Sequence, residues 1–392
     1  MSGKQLKVYF VLGEESGDAL AADLLIGLRN EAENRGIEVQ ASGLAGPKLS
    51  ALGVTSLFDI SDIAVMGISA VLARLPSIIN RIHRTVDDAV TARPDVIVLV
   101  DSPDFTHAVG KRVRAKMPDV PIIKYVCPSV WAWRPGRALK MAAFIDHVLT
   151  ILPFEPSVLH ELGGPEATYV GHPLASNIAA RSNELPKGSN TPATLLVLPG
   201  SRGSEVKRML PVFGQTLDLL AKRGIEFNAV LPAVPHLRDQ IRDGIADWTV
   251  QPQIVDSADN SETFQTAHAA LAASGTVLLQ LALNRVPMIS CYKLDPLATR
   301  LLYLVKAWSA ALPNLIAGWP LVSEYYNGYV NAEKLSRELE RLLTDTPERA
   351  AQLAGFDVVA EKLETDTPTA QAAAKAIFSV IETKNPGLLT GV

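Results

Sequence analysis

Short apolar runs rich in β-branched residues recur along this chain, separated by stretches of helical period, and that alternation restricts the fold more than any other feature. "KVYFVL", "DVIVLV", "IIKYV" and "HVLTIL" fall in the first half, and "TLLVLP", "FNAVLP" and "PMISCY" in the second. Runs that are apolar at nearly every position suit strands covered on both faces, so the pattern predicts an α/β chain of parallel sheets under helices. At 392 residues there is material for two domains. The stretch "YVGHPLASNIAARSNELPKGSNTPA", rich in Pro, Ser, Asn and Gly, reads as the crossing, with a boundary near Pro173. The expected organisation is residues 1–173, then 174–344, then a helical tail 345–392 in which Ala374, Ile377 and Ile381 keep helical spacing. The pattern leaves open whether that tail returns to the first domain.

Composition narrows the function classes. A formal charge of -4 provides no general basic field for nucleic acid. Cys127 and Cys291 are the only cysteines, without CxxC spacing or a histidine cluster, so neither a disulfide framework nor a structural zinc site is expected. The opening "MSGKQLKVYFVLGEESGD" meets acids too soon for a secretory signal, and no window of about 18 uninterrupted apolar residues offers a membrane span. These features predict a protein of a reducing, cytoplasmic compartment.

Ligands of doubly wound sheets bind beyond the carboxyl ends of the strands, so the residues just after each apolar run carry the most information. After "LLVL" come Gly200, Ser201 and Arg202, followed by a helical stripe through Val206, Met209, Leu210 and Phe213. A helix N-terminus with glycines before it favours an anion, and an arginine adds a fork of donors for phosphate oxygens. A capped turn with a solvated arginine has the same sequence. Neither GxGxxG nor GxxxxGK[ST] is present. "AASGTVLLQLAL" follows a strand expected to end near Ala272 and offers Ser274, Gly275 and Thr276 as a second anion or ribose loop, with Gln280 one turn on, or simply an N-cap.

In the first half, "VIVLVDSPDF" places Asp101 at a strand end, where a carboxylate can take a proton from a substrate hydroxyl, while Asp104 suits the first turn of the next helix. Glu14 and Ser16 in "GEESGD" form an acidic turn that suits a hydroxyl-rich ligand better than a phosphate, or else caps a helix. Trp131 and Trp133 beside Arg134 can stack on a sugar or fill a core edge. Residues 60–84 combine Met66, Val71, Leu75 and Ile79 with Arg74, Arg81 and Arg84, a pattern common to an interfacial helix and to an ordinary core helix.

Taken in order, "GEESGD", "AVMGI", "DSPDF", "YVCPSVWAWR", "LPFEP", "VGHPL", "LPGSRGSEV", "ASGT" and "LPNLIAG" resemble the lipid-A-disaccharide synthase family over residues 8–322. The resemblance implies a GT-B glycosyltransferase, two Rossmann-like domains facing a central cleft. It would join UDP-2,3-diacylglucosamine to 2,3-diacylglucosamine 1-phosphate, giving a β-1,6-linked disaccharide and UDP, with inversion and no metal or other cofactor. Asp101 matches the family's catalytic acid residue and Arg202 its UDP-contacting arginine; Asn314 falls on a further donor position, and Met66 and Gly67, with Glu14 and Ser16, on acceptor-side cleft positions. Gln280 stands where the family usually has glutamate, and Trp319-Pro320 replace more polar residues. The implied partners are lipid-linked glucosamines and the cytoplasmic face of an inner membrane, with a homodimer possible and nucleic acid excluded. Two alternatives share the sequence pattern: another UDP-sugar enzyme of this architecture, such as a UDP-N-acetylglucosamine 2-epimerase or a murein-type transferase, and a non-catalytic nucleotide-sugar binder.

Overall fold

The computed structural model describes residues 4–63, 68–177, 192–257, 260–295, 299 and 305–387, with the backbone alone described at 68–73, 176–177 and 260–262. The chain divides into two compact units, Met1–Pro173 with Thr365–Val392, and Leu174–Glu364.

The first unit carries β1 (Lys4–Val11), β2 (Ile37–Gly43), β3 (Val96–Val100), β4 (Ile122–Tyr125), β5 (His147–Thr150) and β6 (Glu166–Tyr169). All pair in parallel, in the order β2-β1-β3-β4-β5-β6. Every residue of β3 and β4 is buried, which is why "VIVLV" and "IIKY" carry no alternation. The chain leaves β1 towards β2 on one side and returns to β3 on the other, so the strand order reverses between β1 and β3. That is where an open parallel sheet leaves a crevice.

The second unit is built from β7 (Ala193–Leu198), β8 (Phe227–Ala233), β9 (Gln253–Asp256), β10 (Ala269–Ala273), β11 (Met288–Tyr292) and β12 (Ser323–Tyr326). They form a parallel sheet in the order β12-β11-β10-β7-β8-β9, with its reversal between β7 and β10. β10 is "AALAA", buried throughout; its small side chains let the covering helices lie close.

The expected tail is split between the units. Helix Pro347–Leu363 stays with the second, where Gln352 accepts from the Met288 N–H at 2.6 Å, donates to the Met288 carbonyl at 3.0 Å, and so clamps the start of β11. Helix Thr369–Lys384 returns to the first unit and buries Ala373, Ala374, Ile377, Phe378 and Ile381 in its core. Gly27, on helix Glu15–Glu33, makes that packing possible, because a Cβ there would stand 2.4 Å from the Ala370 carbonyl oxygen. A boundary at 345 is therefore corrected to one between Glu364 and Thr365. Cys127 and Cys291 are buried and unpaired with each other.

Helix Ile68–Ala92 is a core helix over part of its length. From Ile82 onward it is a core helix, burying Ile82, Thr85, Val86 and Ala89. On the turns just before that, Leu75 and Ile79, one turn apart, are 43% and 41% exposed. Arg81 is tied at the junction by an ion pair to Asp62 and lies over the Phe58 ring at 4.6 Å. Among the described residues no helix is long and apolar enough to cross a membrane.

Candidate functional site

The polar residues gather at the carboxyl ends of the strands flanking each reversal. In the first unit, β3 runs directly into Asp101 and Ser102, both with left-handed backbones at φ 46° and 35°. Non-glycine residues pay of the order of 1–2 kcal/mol each for that conformation, and such strain persists where surrounding bonds over-determine it. Here they do. The Asp101 N–H donates to the Tyr125 carbonyl at 3.0 Å, and Thr106 Oγ1 donates to the Asp101 carbonyl at 2.9 Å. Lys124 Nζ, from β4, donates to that same carbonyl and to Thr106 Oγ1 at 3.3 Å.

With its backbone pinned, Asp101 turns its carboxylate to the loop after β1. Ser16 Oγ donates to Asp101 Oδ2 at 3.2 Å, and Ser102 Oγ donates to Glu14 Oε1 at 3.0 Å. Glu14, Ser16 and Asp101, expected from separate motifs, thus form one cluster at the first reversal. Lys124 was not foreseen: a fully buried lysine whose ammonium burial lowers to about 7, with the Asp101 carboxylate opposing the fall. The available signal was a single charged residue within the apolar run "IIKYV".

Other first-unit residues take structural roles. Asp18 accepts from the amides of Gly46, Lys48 and Leu49 at 2.8–3.1 Å and so caps helix Pro47–Ala51. Asp104 pairs with Arg137 at 2.8 Å. Trp131 Nε1 donates to Glu155 Oε1 at 3.1 Å, its ring edge-on to Phe154. Glu155 is buried, and that burial raises its carboxyl to about 7. Trp131 therefore anchors this carboxylate rather than joining the Asp101 cluster. Met66 and Gly67 lie outside the described residues.

At the second reversal, Gly200 has φ 113° and Arg202 is the extended N-cap of helix Gly203–Lys222. The first amides of that 20-residue helix have no intrahelical acceptors, so its N-terminus is electropositive. Arg202 Nη1 donates to Glu205 Oε1 at 2.8 Å, and Tyr292 OH, from the end of β11, donates to the same oxygen at 2.9 Å. That bond occupies one of five guanidinium donors, and the Arg202 side chain is 61% exposed, so the others remain available.

Arg202 and Ser274 line one cavity of about 460 Å³ together with Tyr292, Trp308 and Tyr326. These three aromatic residues give it faces on which a planar ring can stack, and none was singled out beforehand. Gly275 and Thr276 are exposed and Gln280 is half-buried; none of them lines the cavity. The helix they introduce is short, Val277–Leu283, and Thr276 stands at its N-cap without a side-chain bond.

Asn314 corrects its expected place as a donor contact. It is 1% exposed, donates to the Val322 carbonyl at 2.9 Å and to Glu324 Oε2 at 3.1 Å, and accepts from the Leu321 and Val322 amides. Two donors and two acceptor sites are all an amide side chain has, so no capacity is left for a ligand. Glu324 in turn accepts from the Ala310 and Ala311 amides at 3.0 and 3.1 Å, and from the hydroxyls of Ser309 and Tyr326. Asn314 therefore acts through Glu324 on the Ser309–Ala310 wall of the cavity.

Two six-stranded parallel units, each with a polar cluster at its reversal, make up a GT-B type of fold, shared with solved glycosyltransferase structures. The chain is similar in structure to a UDP-N-acetylglucosamine 2-epimerase from Neisseria meningitidis bound to UDP-N-acetylglucosamine, with a TM-score of 0.57 and 13% identity over 97% of this chain and 100% of that one. It is similarly close to MurG of Acinetobacter baumannii, with a TM-score of 0.56 and 12% identity over 96% and 99% of the two chains. At such identities the likeness establishes the fold alone. The chain belongs to the lipid-A-disaccharide synthase family: the sequence profile described as Lipid-A-disaccharide synthetase matches residues 8–378. A lipid-A-disaccharide synthase of Rhodopseudomonas palustris strain HaA2 is 42% identical over 379 residues, 95% of this chain and 96% of that one. Membership makes it a glycosyltransferase of lipid A biosynthesis, acting on lipid-linked glucosamines.

Proposed function

We propose that the chain transfers a diacylglucosaminyl group from UDP-2,3-diacylglucosamine to the 6-hydroxyl of 2,3-diacylglucosamine 1-phosphate, forming a β-1,6 bond and releasing UDP. Asp101 is the general base. Its carboxylate is held by Ser16, and its backbone is locked by Lys124, Thr106 and Tyr125. As the acceptor oxygen attacks the anomeric carbon, Asp101 takes its proton while the bond to UDP breaks on the opposite face, so the configuration inverts. The leaving diphosphate gains charge, which the free donors of Arg202 and the amides opening helix Gly203–Lys222 stabilise without rearrangement. The uracil and ribose take the aromatic cavity of Tyr292, Trp308 and Tyr326 beside Ser274.

The observation that carries the mechanism is the left-handed Asp101-Ser102 pair at the first reversal, a strained turn whose Asp101 carboxylate accepts from the Ser16 hydroxyl. The exposed Leu75 and Ile79 provide an acyl-chain surface, which supports action on the cytoplasmic face of an inner membrane. Incubation with both lipid substrates should yield UDP and a disaccharide monophosphate, and Asp101→Asn should abolish both products while retaining UDP binding. Consumption of a soluble UDP-sugar with no disaccharide formed would instead favour an epimerase.

A further inference from the structure

A second polar site lies in the first unit, beyond the Asp101 cluster. Helix Pro103–Lys116 and helix Gly136–Ala142 flank a groove of about 680 Å³. Its walls carry Lys111, Arg112, Arg134, Arg137 and Lys140 against a single carboxylate, Asp104. This excess of four positive charges is concentrated within a chain of formal charge -4. Asp104, His107 and Lys111 stand one turn apart on the same face, so the groove follows the helix for about 10 Å from its first turn.

His107 is an independent pointer to a ligand. It lines the groove, is 8% exposed, and its Nε2 has no partner among the described residues. An unpaired buried nitrogen is costly unless a ligand completes it. Burial, reinforced by Lys124, Arg137 and Lys111, lowers this imidazole to about 3, so at neutral pH it is uncharged and can offer one N–H. Arginine forks, lysine point charges and a neutral N–H together suit the oxygens of a phosphomonoester better than a carboxylate or a sugar hydroxyl.

We infer that this groove binds the anomeric phosphate of the acceptor, holding the sugar phosphate along helix Pro103–Lys116 while its far hydroxyl reaches Asp101. The inference rests on the transferase mechanism proposed above, and it adds the part of the acceptor that the Asp101 cluster leaves unrecognised. The groove starts at Pro103 and Asp104, two and three residues after the base, and its length suits one sugar ring with its phosphate. The Asp104–Arg137 pair at its near end is mostly solvent-facing on the Asp104 side, so a phosphate can draw the arginine away at little cost.

The test uses the full chain and the exposed pair Lys111→Glu/Lys140→Glu, neither of which touches the proposed catalytic residues. In turnover, the variant should raise KM for 2,3-diacylglucosamine 1-phosphate at least tenfold, leave KM for the donor unchanged, and match the parent on an acceptor lacking the phosphate. Separately, glucosamine 1-phosphate titrated into the parent should move the His107 imidazole resonances, with at least tenfold weaker binding in the variant. An equal KM ratio on both acceptors, or a sugar-phosphate titration indifferent to the charge reversal, overturns the assignment. Loss of binding to phosphatidylglycerol vesicles with unchanged acceptor preference also overturns it and makes the groove a lipid-headgroup site. If neither acceptor is turned over by the parent, the transferase mechanism fails, while the titration still decides the phosphate site.

Discussion

Replacing Lys124 with methionine separates what the buried amine costs the fold from what it does for the site. Lys124 is wholly buried in β4, and burial lowers its ammonium from 10.5 to about 7. Between those two values the unfolded chain holds a proton that the folded chain has lost. Native stability therefore rises with pH across that window, by up to about 1.4 kcal/mol per pH unit. Below about pH 7 the amine is charged in both states, and the penalty stands at its full value, of the order of 5 kcal/mol. Methionine fills a similar volume without that penalty but loses the bonds that even the neutral amine makes to the Asp101 carbonyl and Thr106 Oγ1, about 0.5–1.5 kcal/mol each. That offsets only part of the penalty, so Lys124→Met should be more stable than the parent by about 2–4 kcal/mol at pH 6–7. The parent should then pull ahead as the pH rises towards 10. Urea unfolding of both proteins at each pH measures the difference, in which titrations common to both cancel. Disaccharide formation should fall in kcat by about tenfold, since the strained Asp101 turn loses one of its clamps. A stability difference that stays flat from pH 6 to 9 would refute the depressed amine, and an undiminished kcat would refute its part in holding Asp101.

Three further outcomes follow from the geometry. Arg202→Ala should weaken UDP binding by about 10- to 100-fold in titration calorimetry and slow transfer together, with little change in unfolding midpoint because the side chain is exposed; unaltered UDP affinity would leave the loop as a turn only. Gly200→Ala should cost about 1–3 kcal/mol on thermal unfolding, because φ is 113° and the new Cβ would meet Glu205 Oε2 at 2.7 Å and its Cβ at 2.9 Å; a neutral variant would contradict the turn described. Leu75→Ser with Ile79→Ser should reduce sedimentation with anionic vesicles while UDP binding and Tm stay near the parent's, since both side chains are already exposed; unchanged vesicle binding removes the membrane role.

What the amino-acid order made legible follows the distance over which each feature is determined. The runs at β1, β3, β4, β5, β7, β8 and β11, and the short "ALAA" of β10, are recognisable because interior parallel strands are covered on both faces, leaving no polar alternation. The four strands that went unread, β2, β6, β9 and β12, are the four sheet edges, and their burial is partial along most of their length, so their side chains are mixed. The same logic divides the site. Asp101 stands immediately after an interior strand and Arg202 in the short turn after another, where a polar residue is conspicuous, and both fall at the reversals of strand order. Asn314 also stood out, but its role is fixed by Leu321, Val322 and Glu324, which reach it only after the chain has turned back. Lys124 is inconspicuous for the opposite reason: the run "IIKYV" is otherwise apolar and suits a buried strand with or without its one charge. Yet a lysine flanked by buried residues in a two-faced strand has nowhere to send its amine except along the sheet, and the neighbour across is the strand that ends at Asp101. A charge inside a fully apolar parallel strand therefore points to the adjoining strand end, and here that end holds the proposed base.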